Sequence, residues 1–184
     1  MAKTYIISDT HFSHANIIAF ESRPFDTVAQ MDDAMVTNWN RVVGKADAVY
    51  HLGDFAFGGK AHIAALLARL NGRKHLVMGN HDMARKPAWW REAGFEEAFA
   101  QPICVRQFVW LSHEPMYMNR NMPYLNIHGH IHANRMVNAH REVYLNASAE
   151  LNGYAPFDLD RAIAMKAREW ELRENECYNN NAKS

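Results

Sequence analysis

The chain has 184 residues, 48% of them hydrophobic and 22% charged, with no formal net charge. That length and balance suit one globular domain with a sizeable core. A neutral chain has no long-range attraction for a nucleic-acid backbone or an anionic membrane, and no apolar run here is long enough to span a bilayer.

The N-terminal stretch Met1-Ala2-Lys3-Thr4 carries no apolar signal segment. Thr4 to Ser8 then reads as a short, buried strand, ending abruptly at Asp9. Val28, Met31, Met35, Trp39 and Val42 recur at helical spacing, with Thr27 placed to cap that helix. Ala48 to Leu52 is a second strand, ending at Gly53-Asp54. Ile63, Leu66, Leu67 and Leu70 form a second amphipathic helix, with Gly72 as its stop. His75 to Met78 is a third strand, and Pro87 to Ala93 a short helix with proline in its first turn.

The second half is more strand-like. Ile103 to Val105 and Phe108 to Leu111 suggest a hairpin, followed by strands over Tyr124 to Ile127 and Glu142 to Leu145. Asp158 caps a last helix expected to run to about Arg173. The expectation is a single α/β domain over 1–177, β-α-β-α-β and then mostly strands, with 178–184 as a frayed, Asn-rich tail. The two cysteines, Cys104 and Cys177, match no thiolate metal pattern, so a reduced, cytoplasmic setting is expected.

The eleven histidines are the unusual feature. Polar clusters follow apolar strands at Asp9-Thr10-His11, Gly53-Asp54, Gly79-Asn80-His81-Asp82, Ser112-His113 and His128-Gly129-His130-Ile131-His132. In open α/β sheets, ligands bind beyond the carboxyl ends of strands, so neighbouring strands would bring these clusters together. Each alone has a plain structural explanation. Asp9 suits a turn or helix cap, Gly-Asp is ordinary turn chemistry, and a lone His113 suits a buried structural role. Their joint occurrence is what points to a site. Oxygen and imidazole donors without cysteine suit Mn²⁺, Fe, Zn²⁺ or Ni²⁺. There are donors enough for two ions, with Asp54 as the natural bridging carboxylate.

The series Asp9-x-His11, Gly53-Asp54, Gly79-Asn80-His81-Asp82, His113, Gly129-His130-x-His132 resembles the calcineurin-like metallophosphoesterases, in family order. The strings SDTHFSHANII and VYHLGDF look most like the small bacterial and phage-type phosphoesterases. The resemblance implies a sandwich of two mixed β-sheets flanked by α-helices, with two divalent metal ions, Mn²⁺ first among them. It implies that Asp9, His11 and His132 hold one ion, Asn80, His113 and His130 the other, and that Asp54 bridges. A hydroxide between the ions would attack phosphorus. His81 would face the substrate and assist the leaving group, and Asp82 would orient His81.

Further expectations concern the rim. His14 follows the first cluster and could touch substrate. Arg85, Arg120 and Arg23, the last in the loop ESRPF, could meet it at the mouth of the site. Lys86 beside Arg85 suits a solvated surface. His51 and His75 lie within strands as core or surface residues, His128 is buried near the site, and His62 and His140 are solvent-exposed. Of Trp89 and Trp90, adjacent on a helix, one at most can face the core, and an exposed one could stack on a base or join an interface.

The reaction expected is hydrolysis of a phosphodiester, a nucleotide or nucleic-acid end among the candidate substrates, by a monomer or homodimer with no membrane association. A chain this short has no room for a capping domain, so its site should be open. Hydrolysis of a phosphomonoester is the alternative. A non-catalytic scaffold is disfavoured, because every ligand position and the histidine of GNHD are filled.

Overall fold

The structure is a computed structural model. It describes residues 2–119, 123–134 and 141–181, and of residues 141 and 174–181 the backbone alone. The order is β1 (Thr4–Ile7), α1 (Asn16–Phe20), α2 (Val28–Val42), β2 (Ala48–His51), α3 (Lys60–Arg69), β3 (Arg73–Val77), α4 (Pro87–Ala93) and β4 (Glu97–Phe99). There follow β5 (Ile103–Val105), β6 (Val109–Leu111), β7 (Leu125–His128), β8 (Tyr144–Asn146), β9 (Phe157–Asp158) and α5 (Leu159–Asn181).

These strands make two mixed sheets, flanked by helices. The first has the order β4-β3-β2-β1-β9, with β1 to β4 parallel and β9 antiparallel at the edge. The second has the order β5-β6-β7-β8, with β5 antiparallel to β6 and the other pairs parallel. Strand β1 shows why its sequence is almost unbroken in apolar character. Successive side chains leave opposite faces of a strand. Tyr5 and Ile7 pack with Met35, Trp39 and Leu66 on the helix side. Ile6, between them, packs with Val109, Leu111 and Ile127 of the second sheet. A strand buried on both faces has no position for a polar residue until it emerges.

Local signals account for the element ends. Thr27 accepts the Gln30 backbone N–H at 3.2 Å, and Pro87 opens α4, which closes at Gly94 with φ 126°. Asp158 accepts the Arg161 N–H at 3.0 Å at the start of α5. That helix continues to Asn181 rather than stopping near Arg173. Residues 174–181, ENECYNNN, contain no glycine or proline to stop it, although half of them are asparagine, a weak helix former. The short elements α1, β4 and β9 were not evident in the sequence. The three-residue β4 and two-residue β9 exist because a neighbouring strand offers free hydrogen-bonding groups, a tertiary cause with no local signature.

The topology places β1, β2 and β3 parallel, and β6 and β7 parallel in the facing sheet. Main-chain bonds join the two sheets at their carboxyl ends, where the Ser8 N–H donates to Ala147 O at 2.9 Å and the Ala149 N–H donates to Ser8 O at 3.0 Å. The five polar clusters therefore converge on one edge of the sandwich.

Candidate metal centre and active site

The loops that carry the donors share an unusual backbone. Asp9, His11, Asp54, His130 and His132 all have left-handed φ, between 48° and 68°. Such conformations cost on the order of 1–3 kcal/mol each in non-glycine residues, and persist only where the surroundings enforce them. Here the enforcement is visible. The Asp9 N–H donates to Gly53 O and the His11 N–H to Asp54 O, each at 3.0 Å. The buried Asp82 carboxylate accepts the N–H groups of Asp54 at 2.7 Å, Gly79 at 2.9 Å and Phe55 at 3.2 Å. It stitches the loop after β2 to the loop after β3. Two glycines are required by close approach: a Cβ at Gly79 would collide with Asp54 Oδ1, and one at Gly129 with Ser8 Oγ and Asp9 Oδ2.

The side chains so placed form two adjoining donor sets. Asp9, His11 and His132 offer atoms all within 4.8 Å of one another, as do Asp9, Asp54 and His113. Asp54 Oδ2 lies 3.6 Å from His11 Nε2 and 3.5 Å from His113 Nε2, between the two sets. Its other oxygen accepts the His81 N–H at 3.0 Å. On the far side, Asn80 Oδ1 is 2.9 Å from His113 Nε2 and 3.2 Å from His130 Nδ1.

Protonation in this region fits a cation. His113 Nδ1 donates to Leu52 O at 2.8 Å, so in the neutral ring Nε2 carries a lone pair. That lone pair is 3.1 Å from His130 Nδ1 and close to two acceptor oxygens. Burial, then the charges of His132 and Arg23, push the His11 imidazole down to about 2, so its ring is neutral. Both of its nitrogens are buried without a hydrogen-bond partner. Burial also raises the Asp9 carboxyl above its ordinary range. Converging lone pairs, orphaned buried nitrogens and crowded carboxylates are costly unless a positive ion lies among them. The residues present therefore fit divalent cations.

Beneath the first donor set lies a network that the sequence did not reveal. Arg23 was expected at the mouth of the site. Instead its side chain is buried, donating to Asp9 O and Thr10 O at 2.7 Å each. Its guanidinium meets Glu150 Oε1 at 2.6 and 2.9 Å, and the same carboxylate oxygen lies 3.2 Å from His132 Nδ1. Arg23 is drawn inward because the left-handed turn at Asp9 and His11 leaves carbonyls facing the interior. Burial opposes the charge on His132, but the Glu150 hydrogen bond and Asp9 hold its imidazole above its ordinary value. Ser148, also unforeseen, donates to Asp9 Oδ2 at 2.9 Å.

The remaining expected residues divide as follows. His81 is half exposed, with Nε2 3.9 Å from Asp54 Oδ2. Asp82 makes no hydrogen bond to the His81 ring. Its carboxylate is committed to three backbone N–H groups, so it shapes the turn rather than the imidazole. Burial lifts it to about 7, against the pull of the Gly79 N–H. His14 stands at the rim, its ring 5.7 Å from that of His11 and stacked on Phe57 at 4.3 Å. Arg85 is exposed, over the Trp89 ring at 5.5 Å. Arg120 and His140 lie outside the described residues. Of the other histidines, His51 and His128 are buried, His75 pairs with Glu97 at 2.9 Å, and exposed His62 meets Ser13 Oγ at 2.8 Å. Trp90 is the buried tryptophan, donating to Asp82 O at 3.1 Å.

The family profile described as calcineurin-like phosphoesterase matches residues 2–173. The chain belongs to the calcineurin-like phosphoesterase family. An uncharacterized protein of Methanocaldococcus jannaschii is 38% identical over 173 residues, covering 90% of this chain and 92% of its own. The gene 66 protein of Mycobacterium phage L5 is 35% identical over 85 residues, 45% of this chain and 41% of its own length. The crystal structure of a protein of unknown function from Aquifex aeolicus superposes with a TM-score of 0.69 at 32% identity, covering 90% of this chain and 99% of that one. A metal-binding phosphoester hydrolase is the family to which the two sheets, their flanking helices and the His/Asp clusters belong. Among the described residues, no helix is long and apolar enough to cross a membrane.

Proposed function

We propose that this calcineurin-like phosphoesterase hydrolyses a phosphodiester at a binuclear metal centre. The observation that carries the reading is Asp54, whose Oδ2 stands between the Nε2 atoms of His11 and His113 at 3.6 and 3.5 Å. A carboxylate oxygen midway between two donor sets is what two ions in one site need. Asp9, His11 and His132 would hold one ion and Asn80, His113 and His130 the other, with Mn²⁺ the first choice for these oxygen and imidazole donors. Ions so held would supply an activated water and neutralise phosphoryl charge.

The chain's own groups do the rest. His81 is exposed on one side and anchored through its backbone to Asp54 on the other, so it can donate a proton to the leaving alcohol as the P–O bond breaks. Two clefts adjoin the reacting position. One of about 520 Å³ runs past Asn80 and His113 between Met83, Pro102 and Met116. The other, of about 170 Å³, begins at His81. A diester has two substituents to place, and neighbouring residues of one turn open onto a cleft for each.

The test is hydrolysis of bis-p-nitrophenyl phosphate and p-nitrophenyl phosphate by metal-stripped protein reloaded with Mn²⁺. Diester cleavage that disappears in Asp54→Ala, and falls by about 10²–10⁴-fold in His81→Ala, is expected. A preference for the monoester would replace the diester reading with phosphatase chemistry. No turnover by folded, metal-loaded protein would overturn the reading.

A further inference from the structure

The smaller cleft is chemically unlike the larger one. Its walls are Phe57 and Gly58 from the loop after β2, His81 and Arg85 from the loop after β3, and Trp89 and Trp90 from α4. Phe57 is the hinge of the arrangement. One side of its ring stacks on His14, with centroids 4.3 Å apart and planes 21° from parallel. The same ring lies 5.4 Å from His81 and 6.1 Å from His11, and it also lines the cleft. Across the cleft, Trp89 carries the Arg85 guanidinium at 5.5 Å and Lys60 Nζ at 5.7 Å. The floor is rigid: Trp90 is buried and bonded through its indole N–H to Asp82 O, the residue that ties the metal loops together.

A half-buried aromatic ring and a guanidinium lining one narrow slot suit a flat, polarisable, electron-rich ring. An aliphatic chain would gain nothing from the guanidinium and the imidazole that line the slot. Aromatic rings interleaved with cations are how proteins stack nucleobases without reading their sequence. His81, the proposed donor to the leaving oxygen, stands at the cleft's inner end, so the group that departs is the one beside it.

We propose that this cleft binds the leaving group of the diester, and that the leaving group is a nucleoside whose base stacks against Phe57 with Arg85 on its other side. Phe57 and Arg85 are then specificity-determining residues. The larger cleft, lined with methionine and proline, takes the substituent that remains on phosphorus. This assignment rests on the phosphodiesterase reading for the identity of the leaving group, but the stacking site itself can be measured without turnover.

The experiment is equilibrium binding to the Mn²⁺-loaded protein, by calorimetry, of thymidine 5′-monophosphate, deoxyribose 5-phosphate and inorganic phosphate. Phosphate in the metal site is common to all three, and only the first carries a base. The nucleotide is expected to bind at least about tenfold more tightly than the sugar phosphate, at the lower end of what one base–aromatic stack contributes. That difference is expected to collapse in Phe57→Leu and in Arg85→Gln, the latter an exposed substitution that leaves the packing around His11 intact. Equal affinity of the two sugar phosphates in the unaltered protein would overturn the proposal, as would a preference that survives in both variants. A base-dependent preference in protein that hydrolyses no diester would leave the stacking site standing and remove the phosphodiesterase reading. Diester hydrolysis with no such preference would do the reverse.

Discussion

Arg23 and Glu150, 127 positions apart in the chain, form a buried ion pair at 2.6 Å directly beneath a candidate metal ligand. Arg23 holds the carbonyls of Asp9 and Thr10, and Glu150 faces His132 Nδ1. A carboxylate behind a ligating imidazole fixes its tautomer and its aim, and removing it typically weakens metal affinity by about 10–100-fold. Glu150→Gln is therefore expected to lower Mn²⁺ affinity by that order at one of two sites, read by titration against a competing chelator. Two sites both unchanged would show that Glu150 serves the fold alone. Arg23→Met should act differently, because it leaves Glu150 charged and buried. A loss of about 3–5 kcal/mol in unfolding free energy is expected.

The metal loops hold their carboxylates at a cost. The charge of Asp54 raises both Asp9 and Asp82, after the larger effect of burial. Asp54→Asn removes that repulsion and keeps an oxygen for the His81 N–H. It also places an amide donor near the His11 and His113 lone pairs. Without metal, the variant should melt higher than the unaltered protein, by about 2–4 °C for roughly 1 kcal/mol in a domain of this size. With Mn²⁺ the order should invert, since only the original chain gains stability from the ion. A metal-free variant that melts lower would refute the repulsion argument.

His51 offers a pH signature. Its Nε2 meets Thr10 Oγ1 at 2.9 Å, and that hydroxyl already donates to Phe55 O, so the ring must be the donor and Nδ1 is left bare. Burial pushes its pKa from 6.5 down to about 3. Between those values the unfolded chain takes up a proton that the folded chain refuses. Its contribution to stability is complete above about pH 6.5 and falls as the pH drops towards 3, by about 1.4 kcal/mol per unit. Urea unfolding of metal-free protein at pH 6.5 and 4.5 should show a steeper loss than in His51→Gln, by roughly 2–3 kcal/mol over that interval. Equal slopes would mean that the folded ring protonates in place.

Gly129 tests how tightly the cage is drawn. Its missing Cβ makes room for Ser8 Oγ and Asp9 Oδ2. Gly129→Ala should displace Asp9, and with it the first donor set. Loss of one equivalent of Mn²⁺ by elemental analysis is expected, with the circular-dichroism spectrum preserved. Full metal content in that variant would show that the loops yield more readily than their geometry implies.

That five polar clusters follow apolar strands, and so could meet, was legible from strand patterning alone. Singling out Asp9, His11, Asp54, Asn80, His113, His130 and His132 within those clusters rested instead on the resemblance of their series to the calcineurin-like phosphoesterases. The network beneath was not legible, since Arg23 lies in an irregular loop and Glu150 in a short turn. Neither has a local pattern that foretells a partner 127 positions away. Asp82 shows a subtler gap. Its place beside His81 suggested a role for the ring, whereas the strained turn presents three N–H groups to it first. The edge strands β4 and β9 escaped for a related reason, being too short for periodicity to register.

The left-handed turns at Asp9, His11, Asp54, His130 and His132 draw on the whole chain. The bonds that hold them reach across it: Asp82 to the Asp54 N–H, the Arg23 guanidinium to the carbonyls of Asp9 and Thr10, the Ser148 hydroxyl to Asp9, and the His130 N–H to Asp9. No turn of this set is fixed by its own neighbours alone, so each depends on segments far away in the sequence. The donors are therefore a product of the finished fold, and no single loop cut from it would keep their arrangement.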